Sequence, residues 1–213
     1  MQPAEFLAQL RRERASAILR TKDTDSARKA MEAAIRGGFR IVEFTMSIPR
    51  VCDLIREFRQ REGLIVGAGT VLTIDDARQT IAAGAQFLVS PVWDPAILHA
   101  AQAFGVAFMP GCATPTEMWQ AHQAGADLVK LFPGPAQGPS WVKQTLGPLP
   151  MLRIVPTNGV NLENGPEYLK MGAFAVGFTA SLFDQEDIAA GRFERIEQKA
   201  KAMVAAVKAV ELP

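Results

Sequence analysis

The chain has 213 residues, 48% of them apolar, with 23 basic against 22 acidic side chains and a formal net charge of +1. This fits one well-filled domain over residues 1–213, excludes disordered and fibrous classes, and argues against a nucleic-acid partner, since Lys and Arg are dispersed along the chain. No apolar stretch approaches the roughly 18 residues that cross a bilayer, and Met1–Arg14 lacks the apolar centre of a secretory signal, so a cytoplasmic location with no membrane partner is expected.

The opening segment places Phe6, Leu7 and Leu10 on one side, the pattern of an amphipathic helix set before the rest of the fold. From there short β-branched runs alternate with longer Ala-rich amphipathic runs, as in strand–helix units repeated around a parallel sheet. Strands are predicted at Ser16–Arg20, Phe39–Phe44, Leu64–Gly69, Phe87–Ser90, Val106–Met109, Leu128–Leu131, Leu152–Val155 and Phe174–Gly177. Helices are predicted after each in turn, at Asp25–Arg36, Val51–Arg61, Ile74–Ala83, Pro95–Phe104, Pro115–Ala124, Ser140–Leu146, Glu163–Met171 and Arg195–Val210. Glycine recurs where a helix must stop and turn into the next strand, at Gly37-Gly38, Gly84, Gly105, Gly125 and Gly172. Asp23 or Asp25, Thr73, Asp94 and Thr114 stand where a short oxygen-bearing side chain caps a helix start. Eight units predict a compact (β/α)₈ TIM barrel with short loops and an extra N-terminal helix, with a doubly wound open α/β sheet as the alternative.

Cys52 and Cys112 are far apart, and neither they nor His99 and His122 form a ligand grouping, so no metal, cofactor or disulfide is expected. Both histidines fall on predicted helices.

In a barrel the chemistry stands at the carboxyl ends of the strands. There the first strand ends Ala17-Ile18-Leu19-Arg20, the second Ile41-Val42-Glu43-Phe44-Thr45 and the sixth Leu128-Val129-Lys130-Leu131-Phe132. Side chains alternate along a strand, so Arg20, Glu43 with Thr45, and Lys130 with Phe132 can all face the mouth. A lysine in an apolar run loses hydration of its ammonium form and gains free amine at neutral pH, which a Schiff-base nucleophile needs. The proton transfers that follow need a nearby carboxyl able to move protons both ways, a task suited to Glu43. The bland alternatives are a structural Lys130–Glu43 ion pair, an Arg20–Glu43 pair, or a lysine snorkelling outward. Gly67-Ala68-Gly69-Thr70 allows close backbone approach with a hydroxyl beside it, while Ser90-Pro91 and Met109-Pro110-Gly111 shape the wall.

Taken together, Ile41-Val-Glu-Phe-Thr45, Gly67-Ala-Gly-Thr-Val-Leu72, Ser90-Pro91, Pro110-Gly-Cys-Ala-Thr114, Val129-Lys-Leu-Phe-Pro133 and Pro156-Thr-Asn-Gly-Val160 resemble the bacterial 2-keto-3-deoxy-6-phosphogluconate (KDPG) aldolases. That family includes 4-hydroxy-2-oxoglutarate (KHG) and phosphogalactonate variants. The resemblance implies a metal-independent class I aldolase that cleaves a keto acid to pyruvate and an aldehyde, glyceraldehyde 3-phosphate or glyoxylate, and assembles as a homotrimer. It implies Lys130 as the imine-forming residue, Glu43 as proton relay, Thr70 at the pyruvate carboxylate, and Pro91 and Phe132 around the methyl group. Arg20 matches an arginine of the galactonate-type branch that is associated with substrate binding. The chain departs from the pattern at Ser47, where many members carry an arginine, leaving Arg20 or Arg50 as the anion anchor. It departs again at Thr157-Asn158-Gly159 and Gly177-Phe178-Thr179-Ala180, where the loops after the last two strands are expected to form an anion site from backbone N–H groups. An unphosphorylated tail packed on Phe178, a phosphosugar isomerase or epimerase working without a covalent bond, and a catalytically silent metabolite-binding barrel are the competing readings.

Overall fold

The structure, a computed structural model, describes residues 1–212. The chain opens on helix α1 (Pro3–Glu13), followed by β1 (Ala15–Leu19), α2 (Thr24–Arg36), β2 (Ile41–Thr45), α3 (Val51–Arg59), β3 (Ile65–Gly69), α4 (Ile74–Ala82) and β4 (Phe87–Val89). It continues with α5 (Pro95–Ala103), β5 (Ala107–Met109), β6 (Gly111–Cys112), α6 (Pro115–Gln123), β7 (Val129–Leu131) and α7 (Pro139–Leu146). It ends with β8 (Ile154–Pro156), α8 (Asn164–Lys170), β9 (Val176–Phe178), α9 (Gln185–Ala189) and α10 (Phe193–Lys208).

The strands form two parallel sheets, one in the order β5-β4-β3-β2-β1-β9 and one in the order β6-β7-β8. The first sheet curls so that the first strand pairs with the last, Ala15 opposite Val176 and Ala17 opposite Phe178. A doubly wound sheet reverses its strand order at a switch point, and this sheet runs through without reversal. Two features connect the sheets. A parallel bridge joins Thr157 to Gly177, and the Phe174 amide donates to the Ile154 carbonyl at 2.8 Å. The fifth predicted strand is present as β5, and the structure adds β6 after it: only Pro110 lies between the two, which pair with different neighbours. Proline has no N–H for a ladder and breaks the run there.

Two apolar layers follow from the alternation of the strands. Ile41, Ile65, Phe87, Val89, Ala107, Met109, Leu128, Val155 and Ala175 pack inside the curl with Phe6 and Leu10 of α1. Phe6 stacks on Phe87 with ring centroids 4.4 Å apart, so the N-terminal helix is a plug for the amino ends of the strands. The intervening residues, such as Val42, Phe44, Val66, Leu88, Val129 and Leu131, face outward and pack beneath the helices.

Local sequence explains the helix starts. Asp23, Thr73, Asp94 and Thr114 each accept a hydrogen bond from a backbone N–H of the first turn, and Thr73 and Thr114 complete capping boxes with Asp76 and Glu117. The spacers hold left-handed residues, with φ of 111° at Gly38 and 96° at Gly172. α9 has no counterpart among the predicted helices. It is a five-residue turn capped by Asp184 and fastened to α10 by Asp187, whose buried carboxylate meets Arg192 at 2.7 Å and Lys199 at 2.9 Å. Among the described residues, no helix is long and apolar enough to cross a membrane.

Candidate active site

Lys130 occupies the middle of β7, between Gly111 of β6 and Val155 of β8 in register. Its flanking residues Val129 and Leu131 face the helices, so alternation turns Lys130 inward above Leu128. The residue is 7% exposed, and its Nζ lies 5.0 Å from the centroid of the Phe132 ring. Burial holds the amine below the ordinary lysine range, Glu43 pulls it back up, and Arg20 pushes it further down. Desolvation is the larger effect, so the charged ammonium form is disfavoured here.

Glu43 reaches the same interior from β2, above Ile41, and is 1% exposed. Neither carboxylate oxygen has a hydrogen-bond partner. Burial raises its pKa, against the opposing pull of Lys130 and Arg20. No ion pair with Lys130 or Arg20 engages these oxygens, and the carboxyl is buried where its charged form is disfavoured. Room for it exists because β3 presents Gly69 there, where an added Cβ would overlap Glu43 Oε1.

Arg20 follows β1 directly and is exposed at the mouth, where its Nη2 donates to Thr70 Oγ1 at 2.8 Å. Thr70 itself has φ 60°, in the left-handed region, as the chain turns off β3. Arg50 is engaged elsewhere, 2.7 Å from Asp53, and Ser47 bonds Thr45 at 2.8 Å. Of the two candidate anion anchors only Arg20 is electrostatically felt by both Glu43 and Lys130. Thr45 is buried and its hydroxyl donates to the Leu19 carbonyl at 3.1 Å, so it ties the end of β2 to that of β1. Pro91 lines the wall beside Gly111, whose missing Cβ leaves room for the Pro91 carbonyl. Phe132 is half-buried beside the amine.

The loops after β8 and β9 meet at the Thr157–Gly177 bridge and are fastened again by Ser181, whose Oγ donates to the Val160 carbonyl at 2.6 Å. Asn158 and Gly159 are exposed and left-handed, with φ of 72° and 75°, and the Asn164 side chain donates to the Gly159 carbonyl at 2.8 Å. Thr179 is half-buried at the same rim. Phe178 requires a correction. Its ring is fully buried, edge-on to Phe39 and against Gly165 beneath the helices, so only its main chain faces the loop region and no tail can pack on it.

Sequence reasoning missed Gln185, the first residue of α9. Its amide donates to the Arg20 carbonyl at 3.1 Å and steadies the backbone from which the guanidinium projects. A glutamine in an exposed turn carries no sequence signal for that contact. His99 is exposed on α5 and His122 half-buried on α6, both away from these strand ends. Burial pushes the Cys112 thiol up to about 12, leaving it protonated and inert at neutral pH.

Residues 7–199 match the model of the KDPG and KHG aldolase family. The chain is 33% identical over 189 residues to a 2-dehydro-3-deoxy-phosphogluconate aldolase of Treponema pallidum (strain Nichols), covering 88% of this chain and 90% of that protein. It is 34% identical over 200 residues to a probable 2-dehydro-3-deoxy-6-phosphogalactonate aldolase of Rhizobium meliloti (strain 1021), covering 91% of each. Among solved structures it resembles the KDPG aldolase of Legionella pneumophila with pyruvate captured at low pH as a covalent carbinolamine intermediate. That likeness has a TM-score of 0.84 and 27% identity over 95% of this chain and 98% of the other.

Proposed function

The chain belongs to the KDPG and KHG aldolase family, and from that premise we propose that it cleaves a 2-keto-3-deoxy-6-phospho sugar acid through an imine on Lys130. The observation that carries this reading is the buried Lys130 amine, held below its ordinary pKa, beside a buried carboxyl that does not pair with it. A carbinolamine is what an amine forms on a ketone, and the burial of the Lys130 amine supports the same chemistry for this chain.

The steps follow from that geometry. Lys130 Nζ adds to C2 of the keto acid, and loss of water leaves a protonated imine. The C3–C4 bond then breaks, its electrons flow into the imine to give an enamine, and the C4 hydroxyl proton passes to the Glu43 carboxylate as the aldehyde departs. Glu43 returns that proton to C3, and water hydrolyses the resulting imine to release pyruvate and the free amine. The iminium nitrogen is the electron sink, so the chemistry needs no metal ion. Thr70 and Arg20 receive the carboxylate or hydroxyl groups of the substrate, Pro91 and Phe132 flank the methyl carbon of pyruvate, and Thr157, Asn158, Gly159, Gly177, Thr179 and the main chain of Phe178 take the distal phosphate.

A galactonate-type substrate is the second reading, favoured by Arg20, which stands hydrogen-bonded to Thr70 while Arg50 is paired with Asp53. We further read the two sheets as one complete eight-stranded (β/α)₈ barrel. The single intervening residue Pro110 and the Thr157–Gly177 bridge support that closure. A single cytoplasmic domain assembling as a homotrimer completes the proposal.

Borohydride reduction in the presence of pyruvate is the test, since only an imine is trapped as a stable adduct. Intact-mass analysis is expected to show the adduct on the wild-type chain and none on Lys130→Met. An adduct that persists in Lys130→Met would remove Lys130 as the nucleophile, and no adduct on either would favour non-covalent isomerase or epimerase chemistry, or a silent barrel.

A further inference from the structure

Glycine at position 69 is not demanded by the backbone. Its φ lies outside the left-handed region in which nine other glycines of the chain are found, and it sits in a regular strand, where glycine weakens the pairing. What the position lacks is space. An ideal Cβ would meet Glu43 Oε1, Cδ and Cγ as its three nearest atoms, all from that one side chain. The Glu43 carboxyl therefore lies in the volume a side chain at 69 would fill, against the wall of β3.

The consequence bears on Lys130. The charged groups that act on the Glu43 carboxyl are Lys130 and Arg20, and those that act on Lys130 are Glu43 and Arg20. The strands flanking Lys130 bring only Gly111 and Val155 opposite it, neither of them charged. A carboxylate displaced from the wall faces these two cations, and a contact with Lys130 would hold the amine as an ammonium. Yet in the structure both Glu43 oxygens are unpartnered although fully buried.

We propose that Gly69 is a positioning residue: its missing side chain berths the Glu43 carboxyl against β3 and so keeps it from closing an ion pair on Lys130. The berth solves a conflict within the site. Proton relay requires the carboxyl close to the substrate, whereas nucleophilic attack requires the amine uncharged, and a hydrogen-bonded pair would satisfy the first at the expense of the second. This inference rests on the reading of Lys130 as nucleophile and of Glu43 as its acid/base partner.

The test is the pH dependence of pyruvate trapping by borohydride, read as the midpoint at which adduct formation becomes half-maximal. In Gly69→Ala the midpoint is expected to move up by about one unit, the scale of a new opposite charge beside an ionisable group. Initial trapping at neutral pH should fall about tenfold with it. In Gly69→Ala/Glu43→Gln the shift should vanish, because an uncharged amide ejected from the berth cannot hold an ammonium. An unshifted midpoint in folded Gly69→Ala overturns the proposal, and so does a shift that persists undiminished in the double variant. Should Gly69→Ala fail to fold, Glu43→Gln alone decides. A berthed, unpaired carboxyl acts on the amine only through its charge at a distance, so its loss lowers the midpoint by less than about half a unit, whereas loss of a true ion pair would lower it by about one unit or more. Failure of the underlying reading shows separately, as an adduct that survives Lys130→Met or aldol cleavage that is unimpaired in Glu43→Gln.

Discussion

Lys130 and Glu43 each hold an ionisable group where its charged form is disfavoured, and burial is the principal cause for both. Glu43→Gln keeps the shape while removing the carboxyl proposed as the proton relay. Steady-state pyruvate release should fall roughly 10²–10⁴-fold, the usual scale of general acid–base catalysis, and unchanged turnover would exclude Glu43 from that task. Lys130 also has a stability signature. Its folded-state pKa is lowered, so between that value and the ordinary lysine range the unfolded chain binds a proton that the folded chain does not, and stability rises with pH. Lys130→Met should accordingly melt above wild type at neutral pH, and the advantage should shrink as pH approaches about 10.5, where the unfolded lysine also loses its charge. A gap that widens with pH, followed by calorimetry, would contradict this account. The residue types and their alternation turned both side chains inward on the sequence alone, and their burial agrees with that. Their unpaired state was not legible, since it depends on the space that Gly69 leaves on another strand.

α9 is the element that sequence periodicity passed over, because five residues are too few to show a helical repeat. Its hold on the fold is apolar through buried Ile188 and electrostatic through Asp187. Asp187 accepts hydrogen bonds from Lys199 and Arg192, which together depress its pKa, with Arg195 further off at 3.4 Å. Gln185 on the same element supports the Arg20 carbonyl. A depressed carboxyl pKa contributes stability above the ordinary carboxylate range and loses it as pH falls through the folded value. Asp187→Ala should therefore lower the thermal midpoint by several degrees at pH 7 and by less at pH 3, and should weaken substrate binding through the loosened support of Arg20. Equal losses at both pH values, or an unchanged Michaelis constant, would count against this linkage. Several helices were readable because they state their start locally, as Thr73 with Asp76 and Thr114 with Glu117 do. The fifth strand was read where it lies, and β6 after it was missed for a similarly local reason: a β-rich run ending in Met109-Pro110-Gly111 does not reveal that Gly111 and Cys112 resume pairing with a different neighbour.

At the scale of the whole molecule, the parallel sheets bring the ends of β1, β2, β3 and β7 to one rim and the loops after β8 and β9 to the same side. Inorganic phosphate or sulfate should compete with cleavage of the phosphorylated keto acid, and removing the phosphate should lower kcat/KM. Equal efficiency on phosphorylated and unphosphorylated substrates would remove the reason to place an anion at Thr157–Gly159 and Gly177–Thr179. The sequence by itself determined the strand–helix rhythm, the helix caps, the plug formed by Phe6 and Leu10, and the inward turn of Lys130 and Glu43. All of these follow from local geometry: the period of a strand or helix and the chemistry of its ends. The tertiary structure alone decided that β1 pairs with β9, that Arg20 bonds Thr70 while Arg50 pairs with Asp53, that Phe178 packs outward against Phe39, and that Glu43 rests over Gly69. Each of these is a contact between residues distant in the chain, fixed by which volumes the surrounding elements leave open, and no local pattern encodes that.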